Sequence, residues 1–171
     1  DDYPAPFDVS PDGARLVVLA LRDGVQRLYV RKVDGMAAEA VPGTEGAWQP
    51  VFSPDGASVA FFADRKIKRV SLDGGPVLAM AEASANPRGA SFMPDGSLVF
   101  APSQTSGLSR VDANGGVATP VTKLDLQGGE YTHRWPQVLP GGRWVLFTTT
   151  PAVPATLALP LPRLLRNALN S

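Results

Sequence analysis

The chain has 171 residues, enough for one or two domains, and its 16 basic and 16 acidic residues cancel to a formal net charge of zero. Charges of both signs are dispersed along the sequence, which argues against a nucleic-acid groove or a polybasic membrane patch. Cysteine is absent, so disulfides and thiolate metal sites are excluded, and no apolar run approaches the roughly 20 residues that cross a bilayer. We therefore expect no nucleic-acid partner and no membrane insertion of this segment.

One turn recurs along the chain at a nearly constant spacing. It is Ser-Pro-Asp-Gly at residues 10–13 and 53–56, Met-Pro-Asp-Gly at 93–96, and a degraded Leu-Pro-Gly-Gly at 139–142. Proline suits the second position of a type I turn and glycine the fourth, so each copy predicts a tight turn between two apolar runs. The steps from one turn proline to the next are 43, 40 and 46 residues, close to the period of a four-stranded β-propeller blade.

A second turn follows the first at a similar distance in three of the repeats. The Asp-Gly or Asn-Gly pairs at residues 34–35, 73–74 and 114–115 lie 22, 18 and 19 residues after the turn aspartate of their repeats. Such pairs favour two-residue hairpin turns because both residues tolerate positive φ. Each repeat therefore predicts strand, turn, strand, loop, strand, turn, strand, which is one antiparallel four-stranded blade.

Taken in chain order, the repeats predict an all-β protein with about three and a half to four blades. The predicted strands lie near residues 5–9, 14–21, 26–33, 37–41, 49–52, 57–63, 66–72, 76–81, 88–92, 97–101, 107–112 and 117–122, followed by a fourth unit from 135 to 149. Residues 1–149 thus carry propeller repeats, in blades at about 5–46, 47–86, 87–126 and, incomplete, 127–149. Residues 150–171 form a predicted non-repeat tail, with a candidate strand at 156–159 and a candidate short helix at 162–169.

An arc of this size leaves the sheets at its two ends without neighbours. An open arc exposes edge strands and the apolar faces of its end blades, whereas a closed ring covers both. Two such arcs related by a two-fold axis would complete a ring of about seven or eight blades. We therefore predict a homo-oligomer, most simply a homodimer that closes one ring.

The repeats resemble those of TolB-like β-propellers. The resemblance rests on the Phe-Ser-Pro-Asp-Gly run at residues 52–56, which is followed by an apolar strand and by the turn at 73–74. Residues 92–96 repeat this run with one change, and the first copy places Phe7 two residues further from its turn. The resemblance covers residues 5–149 and implies the propeller fold.

A second set of residues comprises Asn86-Pro87-Arg88-Gly89, Gly107-Leu108, Glu130, His133-Arg134-Trp135-Pro136 and Leu146-Phe147-Thr148. This set resembles the propellers that follow bacterial serine/threonine protein kinase domains. This resemblance implies a non-catalytic sensor or scaffold without a cofactor, which binds a protein or a small ligand in an extracytoplasmic or periplasmic location. The lack of cysteine is equally compatible with the cytoplasm, and a scaffold that functions only within a longer protein remains an alternative. None of the kinase's own motifs is present.

Four side chains near the predicted starts of inner strands are candidate ligand-binding residues: Trp48, Arg88, Arg134 and Trp135. In a propeller this segment lies near the central channel, where aromatic rings supply contact area and guanidinium groups hold acidic groups. The alternatives are that the tryptophans pack between blades and that the arginines pair with turn carboxylates. The sequence leaves both interpretations open.

The loop at residues 123–134 contains the only polar cluster with metal-ligand types, formed by Asp125, Glu130 and His133. A hydrolytic divalent-metal site needs about three protein ligands and an open water position. The alternative function is therefore a propeller hydrolase that uses Zn, Ca or Mn on lactones or phosphoesters, with His133 and Glu130 as catalytic residues. The competing interpretation is that His133 forms structural hydrogen bonds in the loop that leads into the fourth blade.

Two further features have structural explanations in the sequence. The turn aspartates Asp12, Asp55 and Asp95 suit turn chemistry, and Gly141 interrupts any ring of carboxylates in the fourth copy. Trp144 lies inside a predicted strand and is expected to be core. No Gly-x-Ser-x-Gly motif is present, so nothing indicates a serine hydrolase of the nucleophile-elbow type.

Overall fold

The computed structural model describes residues 7–150 and 157–160, and these residues form strands and connecting turns without any helix. The all-β prediction is therefore confirmed. Within the described residues no helix could span a membrane. The strands are β1 (Phe7–Val9), β2 (Arg15–Arg22), β3 (Val25–Lys32), β4 (Glu39–Ala40), β5 (Trp48–Phe52), β6 (Ser58–Ala63), β7 (Lys66–Ser71), β8 (Leu78–Glu82), β9 (Ala90–Phe92), β10 (Leu98–Phe100), β11 (Ser109–Val111), β12 (Thr119–Pro120), β13 (Thr132–Val138), β14 (Trp144–Thr150) and β15 (Leu157–Pro160).

The strands form four antiparallel sheets, each made of consecutive strands. Three sheets have four strands, β1–β4, β5–β8 and β9–β12, and the fourth has β13, β14 and β15. We call them blades 1 to 4. The first strands of successive blades contact one another, which is the arrangement of an arc of a β-propeller. Strand β15 overlaps the candidate strand at 156–159, and the candidate helix at 162–169 lies outside the described residues.

The Pro-Asp-Gly turns are held by their own side chains. In blade 2, Ser53 Oγ accepts the N–H of Ser58, and Asp55 Oδ1 accepts the N–H of Ala57. Gly56 has a φ of 67°, a left-handed conformation that favours glycine. The hydrogen bonds from Ser53 and from the backbone lower the pKa of Asp55, so its carboxylate stabilises the turn in the ionised form.

The central strand β6 is covered on both faces. Val59 and Phe61 pack against Val17 and the other core residues of blade 1. Ala60 and Phe62 pack on the opposite side, against blade 3. We call the face of a blade that meets the preceding blade its leading face, and the face that meets the following blade its trailing face. A strand between two sheets has no polar side, which explains why β6 has no alternation of apolar and polar residues.

The turn of the third repeat is one residue shorter than the others. Ser53 N donates to Ser58 O in blade 2, whereas Met93 N donates to Ser97 O in blade 3. Ser97 therefore corresponds to Ser58, and alignment on the turn prolines alone is out of register by one residue. On the leading faces, one set of equivalent residues is Leu16, Val59, Leu98 and Val145, and a second set is Val18, Phe61, Phe100 and Phe147. On the trailing faces, one set is Val17, Ala60, Val99 and Leu146, and a second set is Leu19, Phe62, Ala101 and Thr148.

Hydrogen bonds also join the inner strands of neighbouring blades. Asp8 Oδ2 accepts the N–H of Phe52 at 2.7 Å, and Ser91 Oγ accepts the N–H of Val138 at 3.0 Å. Asp8 and Ser91 occupy the same position in their repeats, as do Phe52 and Val138. Blade 2 has Val51 at the acceptor position, and its side chain cannot make this bond.

Trp144 differs from its expected core position, because 41 % of it is exposed. It begins β14 at the repeat position of Arg15, Ser58 and Ser97. Arg15 reaches from blade 1 to the carbonyl of Gly56 in the turn of blade 2. Blade 4 has no following blade in the described structure, so the side chain that occupies this position has no neighbouring turn to contact.

We predict that Phe100→Ala lowers the free energy of unfolding by about 3–5 kcal/mol, because the side chain is fully buried between blades 2 and 3. The measurement is urea denaturation followed by circular dichroism. Val117→Ala is the control, since Val117 is 92 % exposed and its truncation is expected to cost less than about 0.5 kcal/mol. Equal stability of the two variants would contradict the blade interface.

Candidate functional site

The inner strands of blades 2, 3 and 4 share a left-handed residue near the point where they begin. Gln49, Gly89 and Trp135 each lie five residues before a turn proline, and their φ angles are 51°, 93° and 54°. The register of β5 with β6 and of β13 with β14 shifts across this position, as in a β-bulge. A bulge changes the direction of the neighbouring side chains, so it determines which side chains are presented where these two inner strands begin.

Three of the four predicted ligand residues occupy one repeat position. Trp48, Arg88 and Arg134 each precede the left-handed residue of their blades, and Trp135 is itself the left-handed residue of blade 4. All four side chains are half-buried. Successive blades thus present an indole and two guanidinium groups at the same end of their inner strands.

Trp48 belongs in part to the core between blades 2 and 3. Its ring centroid lies 6.0 Å from that of Phe62, and the side chain packs against the same cluster as Phe100. This contact corresponds to the core-packing alternative of the sequence analysis. Trp48 can offer a ligand only the part of the indole that remains accessible.

Arg88 and Trp135 are brought together across the junction of blades 3 and 4. The N–H of Trp135 donates to the carbonyl of Arg88 at 2.7 Å. A Cβ atom on Gly89 would lie 2.9 Å from the indole Cε3 of Trp135, so the ring rests directly against the glycine. The Arg88 guanidinium donates to the carbonyl of Pro87 and to Gln104 Oε1, both at 3.2 Å. Its buried Nε has no partner among the described residues.

Gln49, which is not among the residues predicted from the sequence, is a buried amide that connects blades 2 and 3. Its Oε1 accepts the N–H of Gly89 at 2.8 Å, and its Nε2 donates to the carbonyl of Pro87 at 3.4 Å. The amide therefore holds the segment that carries Arg88. The signal in the sequence is the constant spacing of five residues before the turn proline.

His133 is buried, and both of its ring nitrogens have partners. Nδ1 lies 2.6 Å from Thr122 Oγ1, Nε2 lies 3.2 Å from Glu130 Oε2, and the ring centroid is 4.6 Å from that of Phe147. Burial lowers the pKa of His133 because the charged ring is poorly solvated there, and Glu130 partly offsets this effect. The contacts connect the end of blade 3 to β13.

Asp125 takes part in a loop rather than joining His133 directly. Its Oδ1 accepts the N–H of Gly128 at 2.9 Å, and its own N–H donates to Glu130 Oε2 at 2.8 Å. Across residues 7–150 and 157–160, no group of three His, Cys, Asp or Glu side chains converges as a metal site would require. The structure therefore brings Glu130 and His133 together and directs the carboxylate of Asp125 toward Gly128.

Comparison with known proteins shows the fold. No protein-family model and no curated protein matches the chain. A putative TolB from Agrobacterium tumefaciens has a TM-score of 0.70 and 20 % identity, over 84 % of this chain and 53 % of that one. TolB from Acinetobacter baumannii has a TM-score of 0.69 and 18 % identity, over 93 % and 42 %. A gluconolactonase from Xanthomonas campestris has a TM-score of 0.63 and 14 % identity, over 84 % and 52 %.

The TolB-like resemblance is thus confirmed at the level of the propeller fold. Each match covers about half of the other protein, and identities of 20 % or less transfer no activity. Propellers with a TolB name and propellers with a lactonase name both superpose on this chain. A functional assignment must therefore come from the side chains.

We predict that the protein loses stability as the pH falls below 6.5, the ordinary pKa of histidine. The pKa of His133 is lowered in the folded state, so the unfolded chain binds the proton first. The stabilisation is complete above pH 6.5 and decreases as the pH falls toward the folded pKa. The measurement is urea denaturation at pH 7.5 and 5.5, above the range in which carboxylates ordinarily titrate. His133→Gln is expected to flatten this dependence, and an unchanged dependence in the variant would contradict the assignment.

Proposed function

We propose that this chain is a non-catalytic binding module that holds an anionic group where its inner strands begin. The observation that carries the proposal is the pair of half-buried arginines, Arg88 and Arg134, at one repeat position of adjacent blades. Trp135 lies next to both, bonded to the backbone of Arg88 and adjacent to Arg134 in sequence. The partner is a protein segment or small ligand that carries a carboxylate or phosphate.

The chemistry of these side chains suits such a partner. A guanidinium group binds carboxylate and phosphate through two parallel hydrogen bonds, and charge-assisted bonds of this kind are stronger than neutral ones. The contacts of Arg88 with Pro87 and Gln104 restrict its side chain before a ligand arrives, which reduces the entropy lost on binding. The accessible part of Trp48 and the ring of Trp135 add apolar contact area.

A second copy of the chain would complete the ring, and the module would act as a sensor or scaffold. Its resemblance to kinase-associated propellers supports a place in signalling, with an extracytoplasmic location. No cofactor is required for this role.

The second candidate is a metal-dependent hydrolase that acts on lactones or phosphoesters. It is favoured by the contact between Glu130 and His133 and by the likeness in fold to a gluconolactonase. The hydrogen bonds at both nitrogens of His133 oppose it, because one must break before the ring can bind Zn, Ca or Mn. Metal analysis after dialysis, with lactone and phosphoester assays, separates the candidates. Stoichiometric metal and hydrolysis, both lost in His133→Ala, would establish the hydrolase.

We predict that titration with citrate or inorganic phosphate changes the tryptophan fluorescence intensity and that this change reaches saturation. The reason is that Trp48 and Trp135 lie at the proposed site. Arg88→Gln or Arg134→Gln is expected to weaken binding about 10-fold or more, the effect of losing a hydrogen bond to a charged group. Arg143→Gln is the matched control, because this exposed arginine directly follows the turn at 139–142, at the other end of β13. Equal affinity of all three variants, or no saturable signal from the wild type, would contradict the proposal.

A further inference from the structure

The leading face of blade 1 presents side chains that are more exposed than their equivalents in blades 2, 3 and 4. Val9 is 44 % exposed, whereas its equivalents Phe52 and Phe92 are 5 % and 6 % exposed and Val138 is half-buried. Leu16 and Val18 are half-buried, although the residues at their positions in blades 2, 3 and 4 are all buried. The face is therefore apolar in the pattern of a blade junction, without a blade against it in the described structure.

The trailing face of blade 4 is likewise more exposed than the trailing faces of the other blades. Leu146 is half-buried and Thr148 exposed. In blades 1 to 3 the next blade covers, fully or in part, the residues at the positions of Leu146 and Thr148. The fully buried ones are Val17, Ala60, Val99, Phe62 and Ala101. Trp144 extends the same exposed surface.

Gln137 adds a polar feature to this trailing face. It occupies the repeat position of Asp8 and Ser91, whose oxygens accept the backbone N–H of the next inner strand. Gln137 is exposed, and an amide oxygen is able to accept the same bond. The backbone N–H at the receiving position of blade 1 belongs to Val9, which in this structure donates to Asp8 Oδ1 within its own strand.

We propose that the trailing face of blade 4 docks on the leading face of blade 1 of a second copy of this chain. The inference rests on the ring completion included in the proposed function, and it identifies the two surfaces and their pairing. The occupant is a second copy because each surface repeats, position by position, one side of the blade junctions already present in the chain. Gln137 of one protomer then lies beside Val9 of its partner, as Asp8 lies beside Phe52 within the chain.

The pairing is head to tail, and it occurs twice in the dimer. A two-fold axis relates the two copies, and the two identical junctions of unlike faces close a ring of about eight blades, which lies within the range of known propellers. Contact between two leading faces would not reproduce the blade junctions, because each junction in the chain joins a trailing face to a leading face.

The test is sedimentation velocity with two charge variants, Val9→Glu and Gln137→Lys, at about 20 µM, where a specific interface of ordinary size is expected to be occupied. Wild type is expected to be a dimer, and each variant alone a monomer, because each carries one charge into both junctions. An equimolar mixture is expected to recover dimer, since one junction is then wild type and the other pairs Glu with Lys. Val117→Lys, exposed on blade 3, is the control and remains dimeric.

Three outcomes would overturn the inference: a monomeric wild type, variants that dimerise like the control, or a mixture that stays monomeric. Circular dichroism and thermal melting of each variant identify any failure to fold, and both substituted sites are solvent-accessible, which keeps that risk low. Citrate titration of the same samples reports the arginine site separately. Loss of dimer with retained binding, or the reverse, therefore assigns failure to one proposal.

Discussion

The fold depends on the burial of sheet faces between neighbouring blades. Strand β6 is apolar on both sides, and it is stable because blade 1 covers Val59 and Phe61 while blade 3 covers Ala60 and Phe62. A sheet with two apolar faces needs two neighbours, so each blade requires the next one. The hydrogen bonds from Phe52 to Asp8 and from Val138 to Ser91 set the inner strands of blades 2 and 4 against those of blades 1 and 3.

The same stacking produces the candidate site. A left-handed residue near the start of the inner strands of blades 2, 3 and 4 lies at a blade junction. From this position Gln49 of blade 2 and Trp135 of blade 4 bond the segment of blade 3 that contains Arg88. The Arg88 segment is thus held by contacts that join the blades. Binding at the proposed site would depend on the same junctions that stabilise the fold.

Repeat spacing and turn chemistry were sufficient to predict the all-β architecture, because Pro-Asp-Gly turns form from local interactions. The exposure of Trp144 depends on its tertiary neighbours, so the pattern of its own strand does not predict it. Asp125, Glu130 and His133 are close in sequence, but the loop turns the Asp125 carboxylate to Gly128. Gln49 was missed because its partners lie about 40 residues away in the next blade.

A crystal structure of the purified chain tests the stacking of blades most directly. The account predicts inner strands around an open channel, with Val59 and Phe61 against the sheet of β1–β4 and Ala60 and Phe62 against the sheet of β9–β12. Two sheets packed face to face as a sandwich, with no central channel and one face of β6 in solvent, would contradict it.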